Sequence, residues 1–481
     1  MTQSIISQSQ GYIILAIFWA LSAYAISATF KKKTNSLSFL VSERSVGLLL
    51  GSITVAIAWV WAPALFVSSQ KAYEQGLPGL FWFTLPNAGG LILFSFLASR
   101  MRTIFSQGFT LPEYMSLRFG KRMGLLYSFA IFVVQSYAVI INLTAALLML
   151  NLVTGIQKQT LILILGIMML TLSLLKGIRS SIVADTIKAV LISVVALIIV
   201  PSALSASGGI SSLIGGLGGS KGTFTNIFDP SVAWTFGVPI TISLLSGIVI
   251  DQQQWQRAFS LKKAVVGRSF LFGGLIFAIV PITLGLLGYI SANPQNGISV
   301  TQNQLAGFSA ILTLLPKISV LAFTVMVLAG LVAAGSSALA AVSSIGATDI
   351  YKKLNPKASD RALVTASRVS MVILILVGMT IALIPNIQIL YLVLIVGVFR
   401  AALFIPTILS LFWVKLSTQY TFWGIILGMS IGVPLFIYGS IVKNATISSF
   451  GSLIPIVITL IACIIGRMST SKSFDFKSLS S

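Results

Sequence analysis

The chain has 481 residues, 56% of them hydrophobic and only 8% charged, with a mean hydropathy of +1.01. One cysteine, Cys463, and no histidine exclude an internal disulfide, a histidine metal site and a histidine proton relay. The net charge of +22 is spread over the ends of apolar stretches and forms no basic face, which argues against nucleic-acid binding.

Apolar stretches long enough to cross the hydrocarbon core, about 20 residues each, recur along the whole length. In chain order they fall at 11–29, 45–69, 80–98, 124–152, 160–175, 181–205, 232–254, 267–291, 318–348, 363–385, 387–413, 420–442 and 450–465. The reading is an all-α polytopic membrane protein of about 13 transmembrane helices. The leading stretch is too long for a cleaved signal peptide, and Lys31–Lys33 lie on its wrong side. Arg100, Arg102, Arg118, Lys121, Arg122, Lys262, Lys263, Lys352 and Lys353 fall on the same side of the alternation as Lys31–Lys33. By the positive-inside rule the N-terminus is outside and the C-terminus inside.

Two spans are interrupted. The stretch SVGLLLGSITVAIAWVWAPALFVSSQ carries Gly47, Gly51 and Pro63. Pro63 lacks an N–H and clashes with the Trp59 carbonyl, so carbonyls around Ala56–Trp59 are expected to lose their helical partners. Five spans later, VAWTFGVPITISLLSGIVIDQQQWQR is expected to break at Gly237, Pro239 and Gly247. Interrupted helices in matching places of two five-helix blocks point to an inverted-repeat transporter. Segments follow from this: 1–44, a leading helix and basic linker; 45–205, the first repeat; 206–231, a Gly-rich external loop; 232–414, the second repeat; and 415–481, two trailing helices with a short cytoplasmic tail.

The third helix of the second block holds AGLVAAGSSALAAVSSIGATDIYKK, from Ala329 to Lys353. Its small residues suit close helix packing. Ala333, Ser336 and Ser337 share one face at i, i+3 and i+4, and offer hydroxyl and carbonyl oxygens of the kind a hard cation takes. A packing seam with self-satisfied serines is the alternative.

The chain resembles the sodium:solute symporter family from about Val46 to Trp413. The carriers of the resemblance are TLPEYMSLRFG, KGIRSSIVADTIKAV, WQRAFS, ATDIYKK and the Ala-x-x-Ser-Ser pattern. WVWAPALFVSSQKAYEQG, DQQQWQRA and AGSSALAAVSSIGATDIY look like the urea symporters of plants, fungi and bacteria. The resemblance implies a LeuT-type 5+5 inverted repeat with one leading and two trailing helices. It implies a Na+ site built by Ala56, Trp59, Ala333, Ser336 and Ser337, with Asp185 coupling ion release. For Asp185 a pairing with Lys188 or Arg179 is the other reading, and for Asp251 a pairing with Arg257.

A substrate pocket is expected at mid-membrane, drawing on Trp61, Asn87, Gln135, Tyr137, Ser246, Asp251 and Arg400. Arg400 is the departure from the urea-symporter look, since urea is neutral and a buried arginine asks for a partner, an anion or a water path. The expected activity is sodium-coupled uptake of urea or a urea-like solute across the cell membrane. Symport of a small organic anion or amino acid and proton coupling are the alternatives, with a channel further off. No enzyme chemistry, organic cofactor, nucleic acid or obligatory protein partner is implied; the partners are the solute and membrane lipid.

Overall fold

The computed structural model describes residues 5–29, 35–384 and 389–479. The basic cluster Lys31–Lys33 and the expected start of a span at Ile387 lie outside the described residues. The described chain is helical, as a chain that must satisfy its own backbone in lipid has to be. Among the described residues twelve helices are long and apolar enough to cross a membrane, and Leu48–Ala58 is a shorter apolar one. We label the principal helices α1 (Gln8–Thr29), α2 (Leu48–Ala58), α3 (Pro63–Ile104), α4 (Leu111–Phe119), α5 (Lys121–Thr154), α6 (Lys158–Lys176) and α7 (Ile178–Ala206). Then come α8 (Pro230–Val249), α9 (Gln252–Ser260), α10 (Lys263–Ala292), α11 (Lys317–Leu354), α12 (Asp360–Ala382), α13 (Ile389–Phe412), α14 (Thr418–Ile441) and α15 (Ala445–Ser469).

The first broken helix is α2 followed by the start of α3. The chain then folds back inside α3, at Gln75 and Gly76, where Gly76 adopts φ 54°. A Cβ on Gly79 would stand 2.3 Å from the Lys71 carbonyl oxygen, whereas eight residues of straight helix would separate the two by about 12 Å.

The second broken helix differs from the sequence expectation. Gly237 and Pro239 do not interrupt it: inside α8 the turn Ala233–Gly237 widens to a π-helix, and the helix runs on through Pro239 to Val249. The missing proline N–H costs the helix interior one bond, and the widened turn just before it accommodates the ring. The break comes later, at Ile250 and Asp251, where Asp251 turns extended and caps α9 by accepting the Gln253 N–H at 2.9 Å. Gly247 stays helical and makes room instead: a Cβ there would meet the Arg400 guanidinium at 3.2 Å.

The two broken helices are tied together at one end. Val46, just before α2, donates its N–H to the Ser260 carbonyl and accepts from Lys262 N–H. Around them pack α5, α7, α10, α11 and α13. Helix α11 is deeply enclosed, with every residue from Met326 to Asp349 buried. Its small residues are what allow this. A Cβ on Gly335 would stand 2.4 Å from the Met169 sulfur of α6, and one on Gly330 3.0 Å from Leu65 of α3.

Candidate transport site

At the first break the backbone leaves the helix but is not left unpaired. Trp59 N–H reaches the Ala56 carbonyl at 3.2 Å, Val60 N–H the Ile57 carbonyl at 3.0 Å, and Trp61 N–H the Trp59 carbonyl at 3.1 Å. The Trp61 indole donates to the Ala58 carbonyl at 2.7 Å. Ala62 N–H crosses to the side-chain oxygen of Asn142 on α5 at 3.0 Å. Pro63 therefore sits at the start of α3 as a compatible first-turn residue, and Asn142 supplies the partner that holds the gap. One side chain enters the break directly. The Lys188 ammonium of α7 donates to the Ile57 carbonyl at 3.0 Å and also to the Val60 carbonyl, and Lys188 is 0% exposed.

Beside it lies a buried polar cluster drawn from four helices. Arg257 of α9 donates to the Asp185 carboxylate at 2.8 Å, to Ser181 at 2.9 Å and to Ser337 at 3.1 Å. Thr54 of α2 donates to the same carboxylate at 2.6 Å. The Ser181 and Ser337 hydroxyls are 2.7 Å apart, and Ser337 also donates to the Ala333 carbonyl at 3.0 Å. Asp185 thus pairs with Arg257, not with Lys188 or Arg179; Arg179 pairs with Glu43 at 2.9 Å. Among the expected sodium ligands, Ser337 faces this cluster, while Ser336 turns to the Met169 carbonyl of α6 at 3.4 Å. The Ala56 and Trp59 carbonyls accept the two backbone N–H groups already given.

The second break holds the other group. Gln135 of α5 donates to Asp251 at 2.8 Å and accepts from Gln253 at 2.9 Å. Asp251 has no ion pair with Arg257 among the described residues. Its Oδ2, the Gln253 Oε1 and both ends of the Gln254 amide are buried without a partner. Burying such groups unpaired is costly, so a water or solute in this place is the physical expectation. An aromatic wall stands between the breaks: Trp61 lies 5.4 Å from Trp59 and 6.1 Å from Tyr137, centre to centre. Arg400 lies 5.6 Å over the Tyr137 ring and donates to the Ser243 carbonyl at 3.3 Å. Asn87 accepts the Trp59 indole N–H at 3.0 Å, and Ser246 donates to the Ile242 carbonyl at 2.6 Å. Of the expected pocket residues, Trp61, Tyr137 and Arg400 stand together and Gln135 joins Asp251, while Asn87 and Ser246 serve helix contacts. A cavity of about 610 Å³ lies nearer the fold-back end, lined by Gln70, Glu74, Thr144, Lys158 and Asn303 among others.

Sequence reasoning did not give four participants their roles. Asn142 was legible only as a polar residue at mid-depth, Thr54 and Ser181 only as hydroxyls on apolar helices. Lys188 carried a stronger signal, a lysine inside TIKAVLISVV, because an ionisable residue within a span marks function by default.

The sodium:solute symporter family model matches residues 39–428. "Probable urea active transporter 1" of Schizosaccharomyces pombe is 25% identical over 78% of this chain and 61% of its own length. "Urea-proton symporter DUR3" of Oryza sativa subsp. japonica is 21% identical over 90% of this chain and 66% of its own. The chain thus spans somewhat under two-thirds of the length of these relatives. A solved Na+-coupled sialic acid symporter in an outward-open state superposes with TM-score 0.78 at 18% identity, covering 96% of this chain and 98% of that one. That likeness is one of fold alone, the LeuT-type helical transporter architecture.

Proposed function

The chain belongs to the sodium:solute symporter family, and on that premise we propose that it is a secondary active symporter of a small neutral solute of the urea class. The observation that carries the solute class is the second break. Urea offers four N–H donors and one carbonyl on a planar frame. The unpartnered Asp251 Oδ2 and Gln253 Oε1 are acceptors for such donors, and the free Gln254 amide can donate to a carbonyl. Trp61 and Tyr137 give a planar solute an apolar wall. A carboxylate solute would meet the Asp251 carboxylate here, with Arg400 and the already paired Arg257 to offset it. The names of the two relatives support urea in the same sense.

Alternating access in this reading rocks the two broken helices against α5, α11 and α13, with the N-terminus outside and the C-terminus inside. Sodium is the cation in the family's name and the proton the one in the rice relative's; were the coupling ion sodium, Ala56, Trp59, Ala333, Ser336 and Ser337 by the first break would be its ligands, with Asp185 the coupling carboxylate in either case. No protein partner is needed. The test is uptake into proteoliposomes of labelled urea, a monocarboxylate, proline and a sugar, with a sodium or a proton gradient imposed separately. Gradient-driven urea uptake is expected. Uptake of the monocarboxylate with none of urea overturns the solute reading.

A further inference from the structure

The space between the first break and α11 is already taken by positive charge. Lys188 reaches it from α7. Its stem runs beside α11, 3.5 Å from where a Cβ on Gly330 would lie, and its ammonium ends on the Ile57 and Val60 carbonyls. These oxygens belong to the break and alternate with those of Ala56 and Trp59, and Gly330 lies one turn of α11 before Ala333. On the opposite wall, the Ser337 hydroxyl receives Arg257 at 3.1 Å. A sodium ion needs several converging oxygens. Here two of the break's carbonyls and the Ser337 hydroxyl are held by two protein cations, and the Ala56, Trp59 and Ala333 carbonyls already accept protein donors.

We infer that Lys188 is a built-in cation that takes the place of a coupling sodium ion, so that this chain neither binds nor requires Na+ there. The charge balance agrees. The charged groups facing the ammonium are Asp185 on its own helix and Arg257 from α9; the surrounding turns of α2 and α11 bring none. One carboxylate already faces two cations, and Lys188, Asp185 and Arg257 are all 0–1% exposed. A sodium ion would add a third positive charge where solvent screening is weak. Gly330 completes the fit, since a side chain at that place would press on the lysine stem. The inference rests on the transport reading only for where the seat lies; sodium binding is measured without any solute.

The experiment is thermal melting of the purified full chain in detergent, in sodium chloride against choline chloride at equal ionic strength, for the wild type and Lys188→Ala. The wild type should melt at one temperature in both salts. Lys188→Ala frees both carbonyls and removes one charge, so it should gain a saturable rise in Tm with sodium of about 2 °C or more. Should the alanine variant not fold, Lys188→Met keeps the apolar stem beside Gly330, frees both carbonyls and carries no charge, and replaces it. A saturable sodium-dependent rise in the wild type overturns the inference. A wild type and variant equally indifferent to sodium overturn the role of Lys188. Failure of the urea reading would look different, as absence of urea uptake in every salt, and leaves the melting result to decide this point.

Discussion

The guanidinium of Arg257 stands 2.8 Å from the carboxylate of Asp185, and both side chains are 1% exposed. This contact joins the second broken helix to α7. A buried pair adds little net stability over an apolar one, but half of it left alone is costly, about 3–5 kcal/mol. Asp185→Asn should therefore lower the melting temperature sharply, because it strands Arg257 among Ser181, Ser337 and Thr54. Arg257→Gln should do the same to Asp185. The double variant should cost clearly less than the sum of the two. Additivity within about 0.5 kcal/mol in that cycle would show the two groups to be independent and sink the reading.

The first break makes a second pair of expectations. Asn142 supplies the acceptor for the Ala62 N–H, and its own amide is tied to the Ala138 carbonyl at 2.6 Å. Asn142→Leu removes that acceptor and should cost about 1–3 kcal/mol, the penalty of a buried unpaired donor. Pro63→Ala should cost under about 1 kcal/mol, because Pro63 occupies a first-turn position that alanine also fits. Equal damage from both, measured as Tm and as transport, would return the break to the proline.

A third expectation lies outside the spans, at the start of α4. Thr110 accepts the Glu113 N–H at 3.0 Å while Glu113 accepts the Phe109 N–H at 2.8 Å, a reciprocal cap. Burial pushes the Glu113 carboxyl above its usual range, against the lowering pull of those backbone hydrogen bonds and of Lys352 and Lys353. A carboxyl raised in the folded state binds its proton more tightly there than in the unfolded chain. Its contribution to stability is thus fullest below the unfolded value and fades as pH rises through the folded one. Glu113→Gln keeps the acceptor and cannot ionise. Its melting temperature relative to wild type should improve from about pH 4 to pH 7; a gap that is constant or widens against the variant with rising pH would refute the assignment.

How much of this was legible in the sequence depends on range. The enclosure of α11 followed from its run of small residues, and Asp185 was marked by sitting in an apolar helix. The first break was placed correctly in the chain but for the wrong cause: proline drew the reading, while the partner that satisfies the gap, Asn142, comes from 80 residues away. At the second break proline misled outright, because a π-helical turn absorbs it and an aspartate N-cap does the breaking. Asp followed by Gln-Gln-Gln was a readable start signal for α9. Lys188, three residues beyond Asp185, was legible only as a pairing partner for that carboxylate, and its real partners are carbonyls that are free to accept it only because another helix is broken.

Arg400 decides the solute class, and its surroundings now shape that test. It is 2% exposed, and none of the ion pairs among the described residues includes it. Instead it spans from α13 to the Ser243 carbonyl of α8 and lies over Tyr137, with its Nε unpartnered. A guanidinium held this way braces two helices and edges the aromatic wall. For a neutral solute its charge is dispensable. Arg400→Gln should then keep urea uptake with KM raised no more than about tenfold, the loss of a buried cation–π contact and one hydrogen bond being worth roughly 1–2 kcal/mol. For a carboxylate solute the fork of donors is the recognition element, and the same change should nearly abolish uptake. The two outcomes separate in one uptake series, wild type against Arg400→Gln, with urea and a monocarboxylate. Urea uptake lost in the variant while a monocarboxylate is carried by wild type would place Arg400 at the centre of an anion site and end the urea reading.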